Sequence, residues 1–387
     1  MSIPRITNDQ VRWFRFRRSG LLDPHDSPAD AARQLIGIQA QAPISADLAL
    51  FNRVENVTLS SLENARNADR QLIRMWGQRN TVHIYAAEDW PLLHHSIRDR
   101  SVIEQKLKKS SLMRSFEQLV RESEERLENG EQLTFKTISA FDEYKTILDA
   151  KDQWMGAVKE NAFPDWLIAA AVIMRLVRKG VVCHGPDAGS ESTFVHRHHW
   201  LPDLGWTEDE ADIRPIVANR YLRSYGPATP KDISAYFGNT IPQVQKWIDA
   251  ARDALVVVDR AGTESLARAA DLEVLSEQPP PADEWPVQLL HRFDPYVLGT
   301  VGIKDKDWLI DADAIKQVWR PGGYIEAVIL DGGRVVGTWR YARKTKGLHF
   351  LVKPFRTMSQ RLDSEVRKRI KATAEFLERD VLSIDVD

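Results

Sequence analysis

Leu35-Ile36-Gly37-Ile38-Gln39-Ala40-Gln41-Ala42-Pro43 carries two glutamines to the end of an apolar run and then stops. Pro43 disfavours the α conformation at Ala42, so a helix that starts near Ser27-Pro28 is predicted to end at about Gln39 or Ala40. Its start is marked by Ser27 as N-cap, Pro28 at the first helical position and Asp30 in the first turn. With Gln39 closing the helix and Gln41 in the extended turn after it, residues two apart point the same way. Two readings then stand. Either both amides face one cavity, or they satisfy the free carbonyls of a helix end, and spacing by itself favours the second.

Further along, Arg79-Asn80-Thr81-Val82-His83-Ile84-Tyr85 alternates, with Thr81, His83 and Tyr85 on one strand face and Val82 and Ile84 on the other. That predicts a half-buried strand, in which His83 is either a hydrogen-bonded interior histidine or a pocket residue. Taken with Glu88-Asp89-Trp90, the Gln39-Ala40-Gln41 segment and the run at 79–83 resemble the AlkZ-like family of winged-helix DNA glycosylases. The resemblance implies tandem winged helices and a catalytic glutamine–aliphatic–glutamine signature at Gln39 and Gln41. It places His83 and Thr81 in the pocket, with Arg79 beside them as a DNA contact. Phe293-Asp294-Pro295-Tyr296 also looks like a turn of the family, with Tyr296 as a candidate pocket wall. Some relatives have aspartate at the second signature position, where this chain has Gln41. Asn80 stands where the pattern Arg-Gly-Thr-x-His has glycine, and asparagine tolerates the left-handed backbone of such a turn.

The chain of 387 residues is too long for one ordinary core, and 43% hydrophobic with 28% charged residues describes a folded, soluble protein. The sequence has no apolar stretch long enough for a membrane span and begins without a signal region, and the single Cys183 fits a reducing cytoplasm. A net charge of −2 argues against coating nucleic acid by bulk charge, so a DNA surface must be local. Four clusters are candidates: Arg12/Arg15/Arg17/Arg18, Lys106/Lys108/Lys109, Arg340/Arg343/Lys344/Lys346 and Arg367/Lys368/Arg369/Lys371. Each taken singly reads as a solvated helix or hairpin face.

The fold class expected is α+β, with tandem winged-helix domains and a C-terminal β-rich, barrel-like region. Units are expected at 1–110, carrying the glutamine signature, at 111–210 and at 211–276, with the β-rich domain and its final helix at 287–387. Helices are predicted at 7–16 (capped by Thr7), 47–54, from Ala87 through His94 and Ile97 towards Leu107, 117–129, 165–179, 215–224, 230–237, 240–252 and 360–379. The stretch 277–286, rich in proline and acid, reads as a linker. A hairpin at 181–199 holds Cys183, His184, His196, His198 and His199. Zinc ligation is considered there and set aside, because structural sites pair ligands at tight spacing; a solvent-facing wing accounts for the histidines. The turn Asp331-Gly332-Gly333 joins strands at 324–330 and 334–341, and a strand at 347–352 follows a basic tip. Arg343, Lys344 and Lys346 at that tip are the candidate DNA contacts.

Walker loop, dinucleotide fingerprint, nucleophile elbow and zinc-protease histidine pair are all missing from the sequence, so chemistry without cofactor or metal is expected. The leading reading is a monofunctional glycosylase, a monomer acting on double-stranded DNA, that hydrolyses the N-glycosidic bond of cationic N7- or N3-alkylated purines or crosslinks. A winged-helix regulator that binds DNA without chemistry is the alternative, and an assembly protein a third.

Overall fold

A computed structural model of the chain describes residues 3–97, 101–155, 164, 166–206, 210–300 and 306–387, in which helices and strands are mixed. The chain forms two compact units, Met1–Asn64 with Asp209–Asp387, and Ala65–Glu208. Among the described residues no helix is long and apolar enough to cross a membrane.

The first unit begins with the helix Asn8–Arg18, opened by a capping box in which Thr7 Oγ1 accepts from Gln10 N and Gln10 Oε1 accepts from Thr7 N. Its Trp13, Phe14 and Phe16 enter a core shared with Trp285, Tyr296 and Trp308. Its arginines do not form the DNA face considered for them. Arg12 donates to Gly332 O (2.9 Å) and Trp308 O (3.1 Å), and Arg15 to Gly226 O (3.2 Å) and Pro227 O (2.9 Å). Both are buried, satisfying loop carbonyls that would otherwise lose their water. The linker is likewise pinned at both ends: Glu277 holds Arg17 at 2.6 Å, and Trp285 packs 4.6 Å from Trp13.

Later in this unit the helices Glu210–Tyr225, Pro230–Phe237 and Ile241–Ala250 precede a hairpin, Leu255–Arg260 with Thr263–Arg268. Pro215 lies inside the first helix rather than opening it. The hairpin turns through Ala261 and Gly262, both at positive φ, and Arg5–Ile6 pairs parallel with its first strand.

The barrel-like expectation is corrected. The C-terminal strands make an open five-stranded sheet in the order Val381–Val386, Gly347–Pro354, Arg334–Lys344, Val328–Asp331, Gln288–Leu290. The physical reason is the helix Gln360–Phe376, which crosses over to set Val381–Val386 parallel beside Gly347–Pro354. By burying Leu362, Val366 and Ile370 it shields apolar surface that closure would otherwise have to hide.

In the second unit the antiparallel strands run Val82–Ala86, Leu72–Trp76, Val182–His184, Phe194–His196. Met113–Glu128 and Trp166–Arg178 pack together beside them. The predicted start at Asp165 lies outside the described residues. Gly180 closes that helix at φ 73°, with Val181 N bonded back to Leu176 O. The expected long helix after Ala87 is instead a short helix, Trp90–Leu93, followed by a 3-10 turn at His94–Ser96; residues 98–100 lie outside the described part. The histidine hairpin is not a solvent-facing wing. Val182–His184 is an interior strand, so Cys183, His184 and His196 are buried. His184 Nδ1 donates to Arg74 O (3.1 Å), and His196 Nδ1 accepts from His198 N (3.2 Å), so both serve backbone groups.

Candidate active site

The helix beneath the signature is Pro28–Gln34, which stops before Gln39. Gly37 is its stop signal: Gly37 N reaches back to Ala32 O (3.0 Å) and Ile36 N to Arg33 O (3.3 Å), a Schellman closure. Ile36 itself sits at φ 54°, a left-handed conformation that opposes a β-branched residue by on the order of 1–2 kcal/mol. Burial of its side chain offsets that strain. Ile38–Gln39 then continues as a short strand, Ala42 is extended, and Pro43 opens the next helix, Pro43–Phe51. Gln39 is only 6% exposed, whereas Gln41 faces solvent. One amide is therefore desolvated and the other is open to water.

The helix end is clamped from far along the chain. Tyr225 Oη and Tyr236 Oη both donate to Leu35 O, at 2.9 and 3.0 Å. Ser224 Oγ donates to Gln34 O and accepts from Gln34 Nε2 (3.1 Å). These three residues satisfy carbonyls that a helix end leaves free. Nothing near the signature announces them, because the tyrosines follow Leu35 by 190 and 201 residues.

Beyond the glutamines, Ser45 Oγ lies 2.9 Å from His291 Nδ1, and both residues are buried. Burial, aided by Arg292, lowers the His291 pKa to about 4, so the imidazole is neutral at neutral pH. Arg53 forms a fully buried bidentate pair with Asp294 at 2.7 and 2.8 Å, and Asp294 Oδ1 also accepts from Tyr296 N (2.9 Å). That pair accounts for the turn at 293–296. Tyr296 donates its hydroxyl to Gly333 O (2.9 Å), and its ring packs on Phe16 and Trp308 in the core.

In the second unit Arg79, Thr81 and His83 are brought together. Arg79 and Asn80 both have positive φ at the hairpin turn, as the asparagine reading required. His83 Nδ1 donates to Thr81 O (2.8 Å), which leaves Nε2 facing Arg79 Nη2 at 3.4 Å as an acceptor. Burial first, and Arg79 second, lower the His83 pKa to about 3. The strand is not half exposed: every residue of Val82–Ala86 is buried. The Tyr85 hydroxyl donates to Gln78 and lies against Gly77, where any Cβ would clash with it.

At the basic tip, Lys344 pairs with Gly347 in the strand register, and Arg343, Lys344 and Lys346 are exposed. None has an ion pair among the described residues.

An α+β scaffold with a helix-end glutamine pair is what a DNA glycosylase of one family presents. The family model for AlkZ-like DNA glycosylases matches residues 32–376, and the chain belongs to that family, whose enzymes hydrolyse N-glycosyl bonds. It is 28% identical over 337 residues to the interstrand DNA cross-link repair glycosylase of Streptomyces sahachiroi, covering 85% of this chain and 86% of that one. Streptomyces sahachiroi DNA glycosylase AlkZ shares the fold, with a TM-score of 0.78 at 23% identity over 99% of this chain and 100% of that structure.

Proposed function

We propose that the chain is a monofunctional glycosylase that excises purines alkylated at N7 or N3 from duplex DNA, bulky and crosslinked adducts included. The observation that carries this is the signature itself, a buried Gln39 beside an open Gln41 just past a clamped helix end. A carboxamide orients water by accepting its hydrogen bond, but it does not take the proton as a carboxylate would. Such a site relies on placement and on a leaving group that needs no protonation. A cationic purine meets that need: water attacks C1′, the glycosidic bond breaks, the base leaves neutral, and the water's proton passes to solvent. The cross-link activity in the relative's name agrees with this substrate class.

Gln39 and Gln41 are assigned the water, His83 a neutral hydrogen-bonding role with Thr81, and Arg79, Arg343, Lys344 and Lys346 phosphate contacts. The enzyme acts as a cytoplasmic monomer without a cofactor. The succession of three helices and a hairpin at Glu210–Arg268 follows the winged-helix order, which supports tandem winged-helix domains. Incubating alkylated duplex with the protein and scoring abasic sites tests the proposal; free 7-methylguanine without strand nicking is the expected product.

A further inference from the structure

Arg18, Arg220, Arg223 and Arg268 converge from three elements of the first unit. Arg18 ends the helix Asn8–Arg18 and Arg268 ends the strand Thr263–Arg268. Arg220 and Arg223 are one turn apart near the end of Glu210–Tyr225, a helix that packs on both of the others. The opposing charge is Asp271, which is buried and shared by Arg18 at 2.6 Å and Arg268 at 3.3 Å. Four guanidiniums thus face one carboxylate. Among the described residues Arg18 Nε and Arg268 Nε are buried donors with no acceptor. Arg223 is exposed, and its pKa is held below the ordinary value by partial burial and by Arg18, Arg268 and Arg220 in turn. The carbonyl ends of two helices ease the crowding, which explains why the fold tolerates each cation there. They do not supply the acceptors that the two Nε donors lack.

We propose that Arg18, Arg220, Arg223 and Arg268 form a phosphodiester-binding site that grips the DNA backbone at a place separate from the basic tip. A phosphate offers the planar guanidinium fork two oxygens and one negative charge, matching both the unmet donors and the excess charge. The proposal rests on the glycosylase reading.

The test is the salt dependence of binding to an undamaged duplex, measured beside excision from alkylated DNA. Arg220→Ala with Arg223→Ala should lower the slope of log K against log salt by about 1.8, at about 0.9 for each of two phosphates no longer neutralised. Arg18 and Arg268 keep Asp271 paired in that variant. Arg223→Glu, at an exposed position, is the second variant and should weaken binding further while melting as the wild type does. Wild-type excision with an unchanged slope in both folded variants overturns this site and leaves the glycosylase reading standing. A wild-type chain that neither binds nor excises overturns both.

Discussion

At Leu35 two hydroxyls share one carbonyl, so losing either still leaves the oxygen a donor, while losing both strands it in the core. Tyr225→Phe and Tyr236→Phe should each destabilise the fold by about 1 kcal/mol, and the double variant by more than the sum. Denaturant melts measure the stability, and single-turnover excision should fall alongside it, since Gln39 follows the same helix end. Additive stabilities would deny the shared carbonyl. The glutamines were legible because they are adjacent in sequence. Their clamp was not, since a hydrogen bond to a carbonyl two hundred or so residues away leaves no periodicity to read.

Among the elements, the helix before the signature shows which local signal wins. Pro43 constrains only the residue before it, whereas Gly37 at φ 89° closes the helix by its own backbone. Gly37→Ala should therefore cost about 1–2 kcal/mol, read as a lowered denaturation midpoint, because a Cβ there opposes the left-handed backbone. A midpoint equal to the wild type would remove that account. The long hairpin was legible from alternation and Gly-Gly, but the open sheet was not. Strand order depends on the final helix crossing over, which alternation cannot report. At the hairpin's tip, Lys344→Ala with Lys346→Ala should flatten the salt dependence of DNA binding by about 0.9 for each phosphate that the variant leaves unneutralised. An unchanged slope would assign the tip to solubility.

Across the whole molecule, buried neutral histidines set the acid limit. Burial lowers His83 and His184 to about 3, and His94 and His291 to about 4. Their unfolded forms bind protons first, so the stability is complete above about pH 6.5 and is lost as pH falls towards the folded values. At pH 5 each should have given up about 2 kcal/mol. Melting temperature should hold from pH 7 to 8 and drop steeply below 6; a flat profile to pH 5 would contradict these buried neutral rings. The central claim is that two amides suffice because the leaving base is cationic. Its most direct measurement is single-turnover excision from matched duplexes containing 7-methylguanine or uracil, with wild type, Gln39→Ala and Gln41→Ala. The predicted result is release of 7-methylguanine alone, slowed in both variants, which melt as the wild type does. Efficient uracil release, or wild-type rates in both variants, would contradict it.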